Sequence, residues 1–306
     1  MAAPRLIDAP PAAVAFWEVP QRLVRLPDGR RLNLYCTGKG TPTVILESGF
    51  SATTWSWANV QPRIARTNRV CSYDRAGLGF SDPGPMPRDG RAVVADLRAL
   101  LRVAKLAPPY ILVGHSAGGM TMRLFADPRF SNVAGLVLLD PSVEGQFAGQ
   151  EAAVAARVAA DERCAVLAEK RQLPSADPRD ARCTKAPAGV SPSFGQVLMA
   201  AQRNPAYWRT LASEYASIAG ANSDALRATR TSHGDLPLVV LTAGQTAAAA
   251  PGWEAAHREL AARSTRGVQR TLAGASHNIM KDAPDAVASA VAEVTAEAKR
   301  PAAPSP

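Results

Sequence analysis

Residues 110–120 read YILVGHSAGGM, an apolar run that stops abruptly at Gly114-His115-Ser116-Ala117-Gly118. Tyr110 to Val113 has the length and character of a buried strand. Ser116 to Ala126 carries apolar residues at spacings of three and four, so the serine sits where a strand turns into a helix. A nucleophilic serine standing proud of such a bend needs small residues two before and two after it, because strand and helix nearly collide there. Gly114 and Gly118 supply them. The first turn of the helix adds backbone N–H groups and a positive dipole end, which favour developing negative charge. An ordinary strand-to-helix turn would read the same over so short a motif, so the rest of the chain decides.

Outward from this stretch, short apolar or β-branched runs alternate with helical patterns. The strand candidates are Leu23 to Leu26, Arg31 to Cys36, Thr43 to Glu47, Arg69 to Tyr73, Tyr110 to Val113, Gly135 to Leu139, Leu238 to Thr242 and Val268 to Leu272. Pro27-Asp28-Gly29 is a hairpin turn signal between the first two. Further helix patterns span Asp89 to Lys105, Trp253 to Ala262 and Pro284 to Ala298. The alternation predicts the α/β class, a mainly parallel sheet with helices on its faces. Residues 143–235 break the rhythm: they are helical in composition and interrupted by Pro174, Pro178, Pro187 and Pro192, which predicts an inserted helical subdomain. The core then comprises 21–142 and 236–299, and the Ala/Pro-rich ends, 1–20 and 300–306, read as flexible.

The bulk numbers exclude several classes. The chain has 306 residues, enough for a large core, and no window approaches the roughly 20 apolar residues that span a bilayer. Its formal charge is +9, but the cations are scattered singly and mostly arginine, without the basic runs that mark nucleic-acid binding. Ala12 to Trp17 is a short apolar stretch closed by Glu18, too short and too acidic for a secretory leader.

Two further segments bear on the serine. Thr43 to Ser48 runs into Gly49-Phe50, where the Phe50 N–H, in a loop beside the nucleophile, would complete an oxyanion hole with the N–H of Ala117. Residues 73–82, YDRAGLGFSD, form a strand end entering a Gly-rich turn. In this whole pattern the chain resembles the α/β-hydrolase superfamily, specifically its serine-dependent, esterase-like members that carry a lid. The resemblance covers nearly all of residues 20–298, including the order of nucleophile, insert and late histidine. It implies an eight-stranded, mostly parallel sheet, and a lid at 143–235. One departure is Ser48-Gly49 where many relatives carry His-Gly.

Four histidines compete for the role of general base. His115 adjoins the serine, but neighbours at such a bend point apart, so it reads as a structural residue beneath the site. His257 lies in a helix pattern and reads as solvent-facing, and His233, in SHGDLP, reads as a turn residue. His277 follows the last strand and precedes the last helix, where the superfamily places its catalytic histidine. An imidazole, with an ordinary pKa of about 6.5, can take a serine proton near neutral pH and return it to a leaving group. For the acid, the superfamily usually uses the loop after the penultimate strand, yet LTAGQTAAAAPGW holds no acid before Glu254. Some members place it after strand six, here ending at Asp140. Asp140 is preferred and Glu254 is the alternative. Asp235 and Asp282 read as turn and helix-cap residues, and Asp74 as a structural residue holding its turn with Arg75.

The insert would cover Ser116 and wall the pocket. Phe194, Met199, Tyr207, Trp208 and Tyr215 are its candidate lining residues, with Trp55 after the oxyanion loop; packing of the subdomain onto the core explains each equally well. The superfamily runs strand two antiparallel to strand four, which puts Cys36 beside Cys71, while Cys164 and Cys183 both lie in the insert. Two disulfides would favour a periplasmic or secreted setting, although no leader is visible; four separate buried thiols are the alternative. Metal-ligand spacing of the CxxC kind is absent, and no metal or cofactor is expected. The resemblance thus implies a carboxylic-ester hydrolase using Ser116, His277 and Asp140 on a small-molecule ester. Amidase, lactonase, C–C hydrolase and cofactor-free perhydrolase chemistry use the same groups, and a catalytically silent binding protein could keep the fold.

Overall fold

The structure, a computed structural model, describes residues 16–127, 132–184, 191–229 and 232–300. Eight strands form one sheet: β1 (Leu23–Arg25), β2 (Arg31–Thr37), β3 (Thr43–Glu47), β4 (Val70–Tyr73), β5 (Tyr110–His115), β6 (Val133–Leu139), β7 (Leu238–Ala243) and β8 (Gly267–Leu272). Their spatial order is β1-β2-β4-β3-β5-β6-β7-β8. β2 runs antiparallel to β1 and β4, and every other neighbouring pair is parallel, so the sheet is mixed with a long parallel centre.

Central parallel strands are covered on both faces, which is why they read as unbroken apolar runs. β3, β4, β5 and β7 are buried at every position, whereas β8 at the edge alternates. Successive side chains still divide between the two faces. Ile45, Leu112, Leu138 and Val240 join one core with Leu97, Met120 and Leu260 from the helices Gly90–Val103, Ala117–Phe125 and Trp253–Ala261. Val44, Leu46, Val113, Val137 and Leu241 join the other with Ile64, Val287 and Val291, from the helices Gln61–Ile64 and Pro284–Glu297.

Between β6 and β7 lie the helices Glu151–Glu169, Pro192–Gln202, Pro205–Ala219 and Ala221–Arg227. Two of them begin with proline because its fixed φ suits the first helical position, and each is capped by the preceding side chain. Ser191 accepts from the Phe194 N–H and Asn204 from the Ala206 N–H. Pro192 therefore starts a helix instead of breaking one, and Pro187 lies outside the described residues. No helix among the described residues is long and apolar enough to cross a membrane. Within 1–20, read as flexible, Phe16–Glu18 forms a 3-10 turn whose Trp17 is buried against Tyr35 and Phe194, since a large ring gains more from that cleft than from water. Residues 1–15 and 301–306 lie outside the described residues.

Both cysteine pairs are joined. Cys36 and Cys71 stand opposite each other in the β2–β4 ladder, with Cα atoms 4.1 Å apart. Cys164 bridges to Cys183 across 5.3 Å, tying the helix Glu151–Glu169 to the 3-10 turn Pro178–Cys183. With sequence separations of 35 and 19 residues, loop-closure entropy gives these bridges about 4 and about 3 kcal/mol. Protein made under oxidising conditions should show no free thiol by alkylation and mass spectrometry, and reduction should lower its melting temperature. Four alkylated cysteines in folded, oxidised protein would contradict the pairing.

Candidate active site

Ser116 links β5 to the helix Ala117–Phe125 at φ 52° and ψ −124°, a conformation that costs an L-residue about 1–3 kcal/mol. The surroundings over-determine it. The Ser116 N–H donates to the Leu139 carbonyl at 3.0 Å, and its own carbonyl accepts from Gly119 at 2.9 Å and Ser142 at 3.0 Å. The glycines fit because nothing larger does. A Cβ at Gly114 would lie 2.6 Å from the Gly118 carbonyl oxygen, one at Gly118 2.6 Å from the carbonyls of Glu47 and Ser48, and one at Gly119 2.7 Å from Pro141.

The loop after β3 passes directly over this bend. A Cβ at Gly49 would stand 3.1 Å from the Ser116 Cβ and 2.8 Å from the His115 Nδ1, so this position too must be bare. Phe50 and Ala117 line the same cavity as Ser116. The Ala117 N–H is the first of its helix, among the four that lack an intrahelical acceptor. Ser48, where many relatives have histidine, accepts from the Trp57 indole at 2.9 Å and donates to the Thr53 carbonyl at 3.0 Å, bracing the loop from within.

His277 and Asp140 meet although they are 137 residues apart: Nδ1 of the imidazole lies 2.6 Å from the Asp140 Oδ2. The other Asp140 oxygen accepts from the Trp253 indole at 2.8 Å and from the Ala243 N–H at 3.1 Å. Burial alone would raise the pKa of this carboxyl. The hydrogen bonds from His277, Trp253, Ala243 and Thr246 outweigh it and hold the group below the ordinary carboxylate range. Asp140 stands at φ 41°, at the end of β6 and fully enclosed. Glu254 points elsewhere, paired with Arg258 one helical turn on, and its neighbour Trp253 is the residue that reaches Asp140.

His115 is buried beneath His277, the ring centroids 4.7 Å apart. Burial, and then the nearby His277, push its pKa down to about 3, so the ring is neutral. Its Nε2 lies 2.9 Å from the His277 carbonyl oxygen, which can only accept; Nε2 therefore carries the proton. Asp282 ties down the same loop: its carboxylate accepts from the Ser276 N–H at 2.8 Å and from the Ser276 hydroxyl at 2.5 Å, in place of the helix-cap role.

Two other sequence readings need correction. His257 is fully buried, because its ring bridges the Thr242 hydroxyl at 2.8 Å and the Pro141 carbonyl at 2.9 Å. Asp74 is structural but not through Arg75. It accepts from Thr54 N–H, Asn33 Nδ2 and Phe80 N–H at 2.8, 2.9 and 3.1 Å, while Arg75 turns to Glu47 and Glu214. His233 sits in a turn as expected, its N–H donating to the Arg263 carbonyl.

Ser116, His115 and His277 line a cavity of about 580 Å³ between the strand ends and the insert. Trp55, Phe194, Tyr207 and Tyr215 line it too. Met199 and Trp208 do not. Met199 lies on another side of its helix, and the Trp208 indole donates to the Gln202 carbonyl at 2.7 Å while its ring packs with Leu78 and the Cys164–Cys183 bridge. Trp17, Phe80, Phe147 and Ile218 are also in the wall, and nothing in their sequence spacing marks them out. Among the described residues no group of three or more His, Cys, Asp or Glu is placed to hold a metal ion.

The chain matches the model of the alpha/beta hydrolase family over residues 44–290. It is 32% identical over 106 residues to the uncharacterized protein YqjL of Bacillus subtilis, covering 35% of this chain and 42% of that one. It is also 32% identical over 114 residues to a soluble epoxide hydrolase of Corynebacterium sp. (strain C12), covering 37% and 39%. The match thus spans less than half the length of these curated relatives. Among solved structures, a thermophilic esterase from Thermogutta terrifontis superposes with a TM-score of 0.67 at 20% identity, over 92% of this chain and all of the other. The epoxide hydrolase CorEH superposes with a TM-score of 0.67 at 19% identity, over 90% and 98%. At such identities these likenesses speak to the fold, and the family match, which extends over most of the sheet and both its helical layers, carries the assignment: the chain belongs to the alpha/beta hydrolase family.

Proposed function

We propose that the protein is a serine hydrolase that cleaves carboxylic esters through an acyl-enzyme. The observation that carries this reading is the His277–Asp140 hydrogen bond of 2.6 Å, made at the rim of the cavity into which the strained Ser116 bend opens. Asp140 accepts a hydrogen bond from the Nδ1–H of His277, which leaves Nε2 as the base for the Ser116 hydroxyl. The serine oxygen attacks the ester carbonyl, and the Phe50 and Ala117 N–H groups take the developing oxyanion. His277 then protonates the departing alkoxide. Water, deprotonated by His277, releases the acid and restores Ser116.

A serine at the bend favours this chemistry over that of epoxide hydrolases, which need a carboxylate nucleophile there. Residues 143–235 serve as the lid, contributing Phe194, Val197, Leu198, Tyr207 and Tyr215 to the cavity wall. Phe147 adds a ring from the same insert and Trp17, Trp55 and Phe80 from the other sides, so the site suits esters with a bulky apolar acyl or alcohol group.

Replacing Ser116 by Ala should lower turnover of nitrophenyl esters by roughly 10⁴- to 10⁶-fold and abolish fluorophosphonate labelling, with the melting temperature nearly unchanged. Retention of more than about a tenth of the activity would sink the nucleophile assignment. For the acid, Asp140→Asn and Glu254→Gln are near-isosteric changes. The first should cost up to about 10⁴ in kcat by favouring the wrong His277 tautomer, and the second should cost little; the opposite ranking would transfer the role to Glu254.

A further inference from the structure

Arg75 is buried in the turn just after β4, and all five of its N–H donors are used. Nη1 donates to Glu47 Oε1 and to the Ser48 carbonyl, both at 2.7 Å. Nη2 donates to the Gly49 carbonyl at 2.9 Å and to Glu214 Oε2 at 3.1 Å, and Nε donates to Glu214 Oε1 at 2.7 Å. Glu47 spends its other oxygen on the Tyr73 hydroxyl. Burial would lower the Arg75 pKa, but Glu214 and Glu47 outweigh it and raise it, so the charge is permanent.

Two of these five bonds go to backbone carbonyls of the loop that passes over Ser116. The Gly49 carbonyl and the Phe50 N–H belong to one planar trans peptide, in which the two groups point in opposite directions. Pulling the carbonyl onto Arg75 therefore turns the N–H away from Arg75, and the bare side of Gly49 lies against Ser116. Glu214 belongs to the insert helix Pro205–Ala219. The same helix is pressed onto the turn after Arg75: a Cβ at Gly77 would lie 2.2 Å from the Thr210 hydroxyl. A single guanidinium thus joins the insert to the peptide that would hold the oxyanion.

We infer that Arg75, gripped by Glu214, is a positioning residue that sets the Phe50 N–H for the oxyanion, so that docking of the insert helix controls the geometry of the reaction centre. The inference rests on the ester-hydrolase reading above. Charge alone does not suffice, since the role needs a planar fork reaching two carbonyls and a carboxylate together.

The test compares wild type, Arg75→Lys and Glu214→Gln in nitrophenyl ester turnover, and in binding of a trifluoromethyl ketone, which adds to the serine and forms an oxyanion, beside the unreactive methyl ketone of the same shape. Loss of an oxyanion donor costs about 10²- to 10³-fold in kcat, and misdirection should cost about tenfold or more with KM within about threefold. The trifluoromethyl ketone should weaken in parallel with kcat/KM, and the methyl ketone should not. Folded variants that keep kcat within about threefold, or that lose both ketones alike, would overturn the role. Should neither variant fold, a structure of the wild-type adduct decides: the hemiketal oxygen on the Phe50 N–H with the Gly49 carbonyl still on Arg75 supports the inference, and a carbonyl turned off Arg75 overturns it. Failure of the ester-hydrolase reading looks different, because wild type itself would then neither turn over esters nor label at Ser116, and both proposals would fall.

Discussion

Everything at the site depends on how closely three backbones approach one another around Ser116. The end of β5, the first turn of its helix and the loop after β3 meet with no room for side chains at Gly114, Gly118 or Gly49. That crowding has a chemical use. Packing of this density lets a residue be held at φ 52°, where it would not stay unaided, and the strained backbone carries the hydroxyl out of the sheet toward the cavity. It also sets the backbone of the loop after β3 directly against the first turn of the helix that follows Ser116.

Around that point the charged groups are buried in satisfied sets. Asp140 is fully enclosed yet stays ionised, because an imidazole, an indole and an amide converge on it. Arg75 is balanced by two carboxylates and two carbonyls. Such groups are costly to bury alone and rigid once paired, so each network fixes the loop it touches. His115 shows the complementary case. Burial keeps it neutral, and the one N–H that remains, on Nε2, donates to the backbone carbonyl of His277.

Much of this was legible in the sequence. All eight strands fall where apolar runs lie between turn residues, and glycine spacing marked the Ser116 bend, because both signals are local and written in residue size or period. Asp140 was legible as the end of a buried strand, but the partner that steadies it, Trp253, was not. That contact depends on how the helix Trp253–Ala261 docks against β7. His257 was misread for the same reason: a helical period gives faces, and only packing says which face is covered. Met199 and Trp208 share one cause, since a helical period does not say which face of an insert helix meets the cavity. The partners of Arg75 lie 28 and 139 residues away, beyond the reach of any local pattern.

The cavity wall draws on pieces of chain that hold none of the groups at its floor. Trp17 comes from a turn before the first strand, Trp55 from the loop after Gly49, and Phe194 and Leu198 from an insert helix, while Ser116, Asp140 and His277 follow three strands of the rigid sheet. Shape and chemistry are therefore separable in inheritance. Substitutions in the wall can accumulate and alter which molecules fit while the floor stays as it is. Glu214 is where that independence ends. An exchanged or redesigned insert that omitted a carboxylate at this position would leave a buried cation short of a partner, so the scaffold accepts new walls only if they bring one acid with them.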